Sequence, residues 1–466
     1  MPAGLANEPK VAAALTVLDL WIEERMDYEQ IPGLALGLVY GDELVWSAGY
    51  GTSDLENETP MTPSTLFRVG SVTKLFTSVA VLQLRDAGRL GLDDPVDEHL
   101  PWFSVNSSFS DGPEITVRQL LTHTAGLPRE APFPYWTDHV FPSREELKAA
   151  VPTQDAIFEP STRYKYSNLG MALLGEIAAE IKGEPYHEVV RRQIFEPLGM
   201  TRSTAAPTAL HHQQMTTGYY RRKGNGERRV AEYYETHALA PAANIVSNVE
   251  DLARFAALML NGSPVLKPST VREMRRPHWV YDDWRGGRGL GFSVSRRDGK
   301  TLVAHGGWVA GHRCYFLLVP EDNIAVITMA NADDVSPTAF GRAAYKMVAP
   351  AIAAATASPS ADNVADPEWQ RYIGTYTDPW DWQYRVLVLD DKLVMVESDY
   401  PPSTEEPNRP TVLIPVAEHT FRMSDGELVV FELDDDGKVQ RIRRRYDYIY
   451  PLHLMQPGLK HDNDNP

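Results

Sequence analysis

Ser71 and Lys74 form the arrangement in this chain that is best suited to nucleophilic chemistry. No other lysine in the 466 residues follows a serine by three positions. The pair begins an apolar-periodic stretch at residues 72–82, which predicts a helix, and positions i and i+3 of a helix share one face. The first turn of a helix favours a serine alkoxide, which can attack a carbonyl carbon. The alternative is a serine that caps the helix and a lysine that lies in solvent.

Two further short motifs each occur once, and both lie where an active site could use them. The single Y-x-N motif, at residues 166–168, begins a helical pattern at 168–181. The single H-x-G motif, at residues 305–307, follows a predicted strand at 301–304. By itself a tyrosine near a helix start is ordinarily a packing residue, and His-Gly-Gly is ordinarily a turn. Their order along the chain after Ser71 indicates one shared site.

Composition limits the partners and the compartment. The chain has 45 Lys and Arg against 63 Asp and Glu, and the formal net charge of −18 disfavours nucleic acid and anionic membrane as partners. The one cysteine, Cys314, excludes an intramolecular disulfide and a cysteine-based metal cluster. Residues 1–20 lack a basic n-region, and no segment reaches the length of an apolar membrane span. We therefore expect a soluble cytoplasmic protein.

The pattern of apolar and turn-forming residues predicts two domains and a linker. In residues 1–355, two strands are followed by a mostly helical middle, several strands and a helix at 339–349 that Pro350 ends. This order predicts an α+β fold, an antiparallel sheet flanked by helices with an all-helical lobe. Residues 356–366 are rich in Ala, Ser, Pro and Asp and predict a linker. Short strands joined by tight turns predict a small antiparallel β-barrel over residues 367–466.

Together, the S-x-x-K, Y-x-N and H-x-G motifs resemble the triple motif of the serine penicillin-recognising hydrolases. That family includes class C β-lactamases, DD-peptidases, D-aminopeptidases and β-lactamase-like esterases. Framework segments at residues 67–70, 120–127 and 196–200 are also similar to segments of this family. The resemblance covers about residues 10–350 and implies a β-lactamase/DD-peptidase-like fold. The predicted barrel resembles the lipocalin-like domain that follows some peptidases of the family.

Motif position implies a role for each matching residue. Ser71 is expected to form an acyl-enzyme, and Lys74 to hold or take its proton. Tyr166 is expected to be the general base toward Ser71 and then the acid toward the leaving group. A tyrosine at its reference pKa near 10 is rarely ionised at neutral pH, so Lys74 as the base is the competing assignment. Asn168 is expected to bind a substrate amide or to help orient Lys74.

The third motif bears on the oxyanion hole and on the substrate. The resemblance implies an oxyanion hole made by the backbone N–H groups of Ser71 and Trp308, beside Gly307. In β-lactamases this motif usually begins with a lysine, whose charge helps to bind a carboxylate. Here it begins with His305, which we expect to be only partly charged near neutral pH. The difference favours a D-aminopeptidase-like or esterase-like serine hydrolase acting on small amide, peptide or ester substrates.

Two other functions stay open at this point: a class C β-lactamase, and a non-catalytic penicillin-binding-like interaction protein that keeps the fold. We expect no cofactor and no metal. His211 and His212 are adjacent, and a calcium-loop-like segment at 432–443 ends on Arg443 where a glutamate is needed. His123 is expected to be a hydrogen-bonded structural residue. For the barrel, one interpretation is an ordinary core with no further role. The other is a barrel that shapes the active-site entrance or mediates contacts in a possible homo-oligomer.

Overall fold

The structure is a computed structural model, and it describes residues 4–109, 112, 114–224, 226–357, 366–389, 392–398, 410–445 and 447–454. The chain divides into two compact units, Met1–Thr356 and Ala357–Pro466. Most of the predicted linker, a predicted turn at 390–391 and the polar tail from residue 456 lie outside the described residues.

A long antiparallel sheet forms the middle of the first unit. The strands of this unit are β1 (Gly33–Tyr40), β2 (Glu43–Asp54), β3 (Thr59–Pro60), β4 (Phe67–Arg68), β5 (Val246–Ser247), β6 (Trp279–Val280), β7 (Gly286–Arg288), β8 (Ser293–Arg297), β9 (Lys300–Val309), β10 (His312–Val319) and β11 (Ile324–Ala330). Within the described residues the sheet has the order β3-β2-β1-β11-β10-β9-β8-β7-β6, and β4 pairs with β5 separately. The first and last strands of the unit are therefore neighbours, with Leu34 opposite Ala330.

Helices cover both faces of this sheet and build a lobe beside it. They are α1 (Pro9–Glu29), α2 (Thr73–Asp86), α3 (Val96–His99), α4 (Val117–Thr122), α5 (Tyr135–Asp138), α6 (Arg144–Ala150), α7 (Asn168–Lys182), α8 (Tyr186–Val190), α9 (Glu196–Leu198), α10 (Ala209–Gln214), α11 (Ala240–Ala243), α12 (Val249–Asn261), α13 (Pro268–Met274) and α14 (Pro337–Thr356). Helices α1 and α14 pack together on one face, and α12 packs on the other, while α2, α7 and α11 pack in the helical lobe.

Aromatic packing holds α2 between the sheet and the helical lobe. Phe76 of α2 stacks on Phe255 of α12 with ring centroids 4.0 Å apart, and Phe255 contacts Phe316 of β10 at 5.7 Å. All three side chains are fully buried. Burying each of them contributes about 2–3 kcal/mol of hydrophobic free energy. The start of α2, where Ser71 and Lys74 lie, is therefore fixed against the sheet.

The second unit is an antiparallel β-sheet. Its strands are β12 (Gly374–Thr377), β13 (Gln383–Leu389), β14 (Lys392–Ser398), β15 (Thr411–Val412), β16 (Ile414–Ala417), β17 (Thr420–Arg422), β18 (Leu428–Leu433), β19 (Val439–Arg444) and β20 (Asp447–Pro451). The described strands have the order β15-β14-β13-β12-β20-β19-β18-β17-β16 and form a nearly closed, barrel-like sheet. Tyr372, Phe421 and Phe431 lie in its apolar core. The predicted fold class is confirmed in both parts.

One predicted boundary is wrong. Pro350 does not end the last helix of the first unit, because α14 continues to Thr356. Pro350 and Lys346, whose carbonyl would normally accept the missing i to i−4 hydrogen bond, are both exposed. Water can replace that hydrogen bond on an exposed face, so the helix tolerates the proline there. Among the described residues, no helix is both long and apolar enough to cross a membrane.

Candidate active site

The serine and lysine of the S-x-x-K motif are hydrogen-bonded to each other. Ser71 lies in a short 3₁₀ turn, Gly70–Val72, that continues directly into α2. Lys74 Nζ donates to Ser71 Oγ at 3.0 Å and to the Ala242 carbonyl oxygen at 2.8 Å. The Ser71 hydroxyl caps neither this turn nor α2, and the Lys74 side chain is 0% exposed. The alternative of a capping serine and a solvated lysine is therefore wrong.

The surroundings of Lys74 favour its neutral amine. Burial lowers the pKa of Lys74 well below its usual value, since a buried ammonium loses its hydration. Glu130 acts in the opposite direction, and Arg129 and Arg288 lower this pKa further. A neutral amine that touches the serine hydroxyl can accept its proton.

Tyr166 lies beside this pair and close to two arginines. The ring centroid of Tyr166 is 5.0 Å from Lys74 Nζ, 5.2 Å from Arg129 Cζ and 5.8 Å from Arg288 Cζ. Burial nevertheless raises the pKa of Tyr166 to about 12, against the opposing effects of a hydrogen bond with Ser71 and of the two arginines. The phenol is therefore the protonated form at neutral pH, although its hydroxyl lies within reach of the serine.

A buried histidine supports Tyr166 from behind. His123 ends α4 in the left-handed conformation, with φ 59°. Its ring packs on Tyr166 at a centroid distance of 4.5 Å, and its Nδ1 accepts the Ser167 backbone N–H at 3.2 Å. Burial keeps the pKa of His123 well below its usual value, so the ring is neutral. The expectation that His123 is hydrogen-bonded agrees with these contacts.

Asn168 is held by a carboxylate that the sequence motifs do not include. Its Nδ2 donates to Glu130 Oε1 at 2.7 Å, and its Oδ1 is buried without a hydrogen-bond partner. The Tyr135 hydroxyl donates to the other Glu130 oxygen at 2.6 Å. Because a carboxylate only accepts, this contact fixes which end of the Asn168 amide faces Glu130. No hydrogen bond joins Asn168 to Lys74 among the described contacts.

The third motif lies on β9 directly behind the nucleophile. His305 Nδ1 donates to the Gly306 carbonyl oxygen at 2.8 Å, and its Nε2 is buried without a partner. Burial lowers the pKa of His305 to about 3, helped by the charges of Arg288 and Lys74. The expectation of a partly charged His305 is therefore wrong, because the motif position is desolvated and already lies beside cations.

Close backbone contact between β9 and the Ser71 turn explains two glycines. A Cβ at Gly307 would lie 1.9 Å from the Val69 carbonyl oxygen. Gly70 has φ +52°, and a Cβ there would lie 2.6 Å from the Trp308 backbone nitrogen. These glycines allow the backbone of Trp308 to lie against the turn that carries Ser71. The two backbone N–H groups expected to form the oxyanion hole are thus on elements in direct contact.

A cavity of about 1020 Å³ opens from Ser71. Its lining includes all the predicted side chains except buried Lys74, together with residues that the motifs do not include: Arg129, Glu130, Trp136, Tyr164 and Arg288. The Trp308 indole is 45% exposed, donates to Asp333 Oδ1 at 2.7 Å and stacks near Trp136. Arg288 Nη2 donates to the Tyr164 hydroxyl.

Possible metal ligands lie in a different place. Among the described residues, Asp94, Glu98 and His99 bring ligand atoms within 4.8 Å of one another. Asp94 Oδ2 already accepts from the Gly91 backbone N–H and from the His99 ring. None of the three lines the Ser71 cavity. Cys314 is buried, and burial raises the pKa of its thiol above the usual range.

The fold and the serine–lysine pair define a serine-hydrolase type of β-lactamase or penicillin-binding protein. The Beta-lactamase family model matches residues 18–349, and the chain belongs to this family. It is 28% identical over 357 residues to Beta-lactamase-like protein 2 of Dictyostelium discoideum, covering 74% of this chain and 64% of that protein. It is 25% identical over 315 residues to Protein flp of Staphylococcus aureus, covering 67% of this chain and 62% of that protein. The chain thus spans less than two thirds of these relatives.

Two solved structures share the fold. One is the octameric penicillin-binding protein homologue from Pyrococcus abyssi, with a TM-score of 0.63 and 23% identity, covering 93% of this chain and 99% of that chain. The other is EstCE1, described as a hydrolase with promiscuous acyltransferase activity, with a TM-score of 0.62 and 22% identity, covering 73% of this chain and 98% of that chain.

Proposed function

We propose that the protein is a serine hydrolase that cleaves small amide, peptide or ester substrates through an acyl-enzyme on Ser71. The observation that carries the proposal is the 3.0 Å hydrogen bond from Lys74 Nζ to Ser71 Oγ, made by a buried lysine whose pKa is lowered. A nucleophile and its base within hydrogen-bond distance, in an accessible cavity, are the elements that acyl transfer requires.

In the proposed acylation, neutral Lys74 takes the Ser71 proton as Oγ bonds to the substrate carbonyl carbon. The backbone N–H groups of Ser71 and Trp308 bind the resulting oxyanion. When the carbon–leaving-group bond breaks, the departing nitrogen or oxygen takes a proton from the Lys74 ammonium, directly or through the Tyr166 hydroxyl. Water then repeats the sequence on the acyl-enzyme and regenerates Ser71.

Lys74 is the better candidate for the base. With a pKa of about 12, ionising Tyr166 at pH 7 costs roughly 7 kcal/mol, at 1.36 kcal/mol per pKa unit. Burial lowers the corresponding cost of a neutral Lys74 instead. We therefore assign Tyr166 to proton transfer as a neutral phenol. We assign Asn168 and Glu130, which are hydrogen-bonded to each other, to the cavity wall that faces the substrate.

A neutral His305 supports an ester or amide substrate over a β-lactam, since the motif has no fixed charge at the position where β-lactamases carry lysine. The description of EstCE1 as a hydrolase supports hydrolysis but does not distinguish between these substrates. The β-lactamase function is the second candidate, because the matching family is named for it. The octameric assembly of the Pyrococcus abyssi protein supports a homo-oligomer, which light scattering would test. The cytoplasmic location stays a prediction.

A substrate panel tests the proposal. p-Nitrophenyl acetate, D-alanine p-nitroanilide and a chromogenic cephalosporin would be compared in wild type, Ser71→Ala and Ser78→Ala. Ser78 lies on the same helix, and its hydroxyl donates to the Lys74 backbone carbonyl instead of facing the cavity. We expect turnover of an ester or amide to require Ser71 but not Ser78, and a fluorophosphonate to label Ser71. Turnover that persists in Ser71→Ala would refute the mechanism. Absence of both labelling and turnover would favour the non-catalytic binding protein.

A further inference from the structure

The two glycines of the H-x-G motif differ in what the fold requires of them. Gly307 cannot carry a side chain, because its Cβ would lie 1.9 Å from the Val69 carbonyl oxygen. At Gly306 an added Cβ would meet only the Cys314 carbonyl oxygen, at 3.9 Å, and the residue is exposed. Its φ is not in the left-handed region either. Backbone packing therefore gives no reason for a glycine at position 306.

Gly306 lines the cavity at a point where one edge of β9 is not paired with another described strand. Strand β8 pairs with β9 only from Lys300 to Ala304, so within the described part of the chain the edge of β9 from His305 onward has no partner strand on that side. His305 and Gly307 face the Ser71 turn, and alternation places Gly306 on the other face of the sheet. Gly306 is opposite Tyr315 of β10, which belongs to the apolar cluster on the α14 side.

The same cavity continues on that second face. Beyond Gly306 it is lined by Ser293 and Ser295 of β8, Leu302 and Ala304 of β9, Tyr315 of β10 and Arg342 of α14. We call these six residues the second lobe. The pairs Ser293–Ala304 and Ser295–Leu302 are directly opposite each other, which places all four on one face. The second lobe and Ser71 therefore lie on opposite faces of β9. At Gly306, which has no side chain, only the strand backbone lies between them.

The second lobe includes the cation Arg342, and a second cation, Arg313, lies at its border. Arg313 at its border donates to the Asp333 backbone carbonyl oxygen from Nε at 2.9 Å and from Nη2 at 2.6 Å. Within the described residues, neither Arg313 nor Arg342 forms an ion pair, and Arg342 Nε has no hydrogen-bond partner. The nearby carboxylates are already engaged: Asp333 accepts from Trp308 and Gly311, and Asp334 pairs with Arg228.

We infer that the missing side chain at Gly306 opens a passage from Ser71 to the second lobe, which binds the distal, carboxylate-bearing end of an elongated substrate. The inference rests on the proposed hydrolase function and extends it. It assigns Gly306 and Arg342 to substrate selection, with Arg342 contacting the carboxylate. Small esters, which end before the passage, do not use the second lobe.

Two substrate series with matched lengths test this inference. On the acyl side, the mono-p-nitrophenyl ester of suberic acid is compared with p-nitrophenyl octanoate and with p-nitrophenyl acetate. In the second series, the alcohol part of an acetate ester carries the carboxylate. A pH-stat follows the acid that hydrolysis releases. In one of the two series, we expect the wild-type kcat/KM for the anionic substrate to be about ten times that for the neutral substrate of equal length.

Variants identify the passage and the charge. Gly306→Val fills the passage with a side chain suited to a strand and should lower the ratio of long anionic substrate to acetate about tenfold. Arg342→Gln should abolish the preference for the anionic over the neutral chain. Thr301→Val, on the opposite face of β9, and Lys346→Gln, one turn further along α14 and exposed, serve as controls that retain the wild-type ratios.

Binding keeps this inference separable from the proposed chemistry. Calorimetry on Ser71→Ala with the N-methyl monoamide of suberic acid and with N-methyl octanamide measures the same preference without turnover. Tighter binding of the anionic amide that Gly306→Val or Arg342→Gln weakens would support the second lobe, even if the hydrolase proposal failed. An equal affinity for the two amides together with no anionic preference in either ester series, or a preference that survives both substitutions, would overturn it.

Discussion

The floor and the rim of the Ser71 cavity are built in different ways. The floor, Ser71 with Lys74 and His305, lies on the start of α2 and on β9, and Lys74 and His305 are buried. The rim consists of Arg129, which is exposed and lies on a loop, and Arg288, which is half-buried and lies on the short strand β7. Burial lowers the pKa values of Lys74 and His305, which favours the neutral form of both floor groups beside the charged rim. The floor thus determines the type of reaction, and the rim surrounds it with charge.

The largest effect should follow from removing the base of the floor. Lys74→Met leaves the Ser71 hydroxyl without a proton acceptor, and we expect acylation to slow by about 10³-fold, within the range of general-base contributions. The rate of fluorophosphonate labelling measures acylation, and thermal melting checks the fold. Lys74→Arg is the informative companion, since a guanidinium keeps N–H donors at this position but cannot accept the proton. Rates near wild type in either variant would contradict Lys74 as base.

A smaller effect concerns the contact that joins β9 to the floor. Gly307→Ala places a Cβ against the Val69 carbonyl oxygen, so we expect a loss of about 2–3 kcal/mol in the free energy of unfolding. Gly306→Ala is the matched control, because its Cβ meets no atom closer than 3.9 Å. Urea denaturation of both variants measures the difference. Equal free energies of unfolding would mean that both glycines tolerate a Cβ equally well. That result would contradict the close approach of Gly307 to the Val69 carbonyl oxygen.

The smallest effect tests whether the rim influences the floor at all. Arg288 lowers the pKa of Lys74, so Arg288→Gln should raise that pKa. Because the neutral amine is the active form, kcat/KM rises with pH through this pKa and is lost below it. The acidic limb of the pH profile should therefore move to higher pH. Arg285→Gln, at an exposed position before β7, should leave the limb in place. An unchanged acidic limb in Arg288→Gln would mean that Arg288 does not influence the pKa of Lys74.

Much of the floor could be predicted from local sequence. The i, i+3 spacing brings Lys74 to Ser71 because a 3₁₀ turn continues into α2, and the Y-x-N motif does precede α7. Helix α4 is also determined locally, because Thr116 and Gln119 form a capping box at its start. In each case the determining contacts lie within a few residues along the chain, so spacing is sufficient to predict them.

The rim and the charges could not be predicted in this way. Glu130 reaches Asn168 across 38 positions, and Arg288 reaches Tyr164 across 124, through chain segments that no short motif marks. The charge of His305 was predicted wrongly for a related reason. A reference pKa describes a solvated imidazole, whereas packing of β9 against the Ser71 turn removes that water.

Residue order along this chain was sufficient for the family, for the fold class of both units and for the contact between Ser71 and Lys74, because local spacing and periodic burial encode them. Folding decided the protonation of Lys74, Tyr166 and His305, the cationic rim and the continuation of the cavity past Gly306. These properties depend on which distant segments exclude water from a group or place a charge beside it, and distances in space are not readable from distances along the chain.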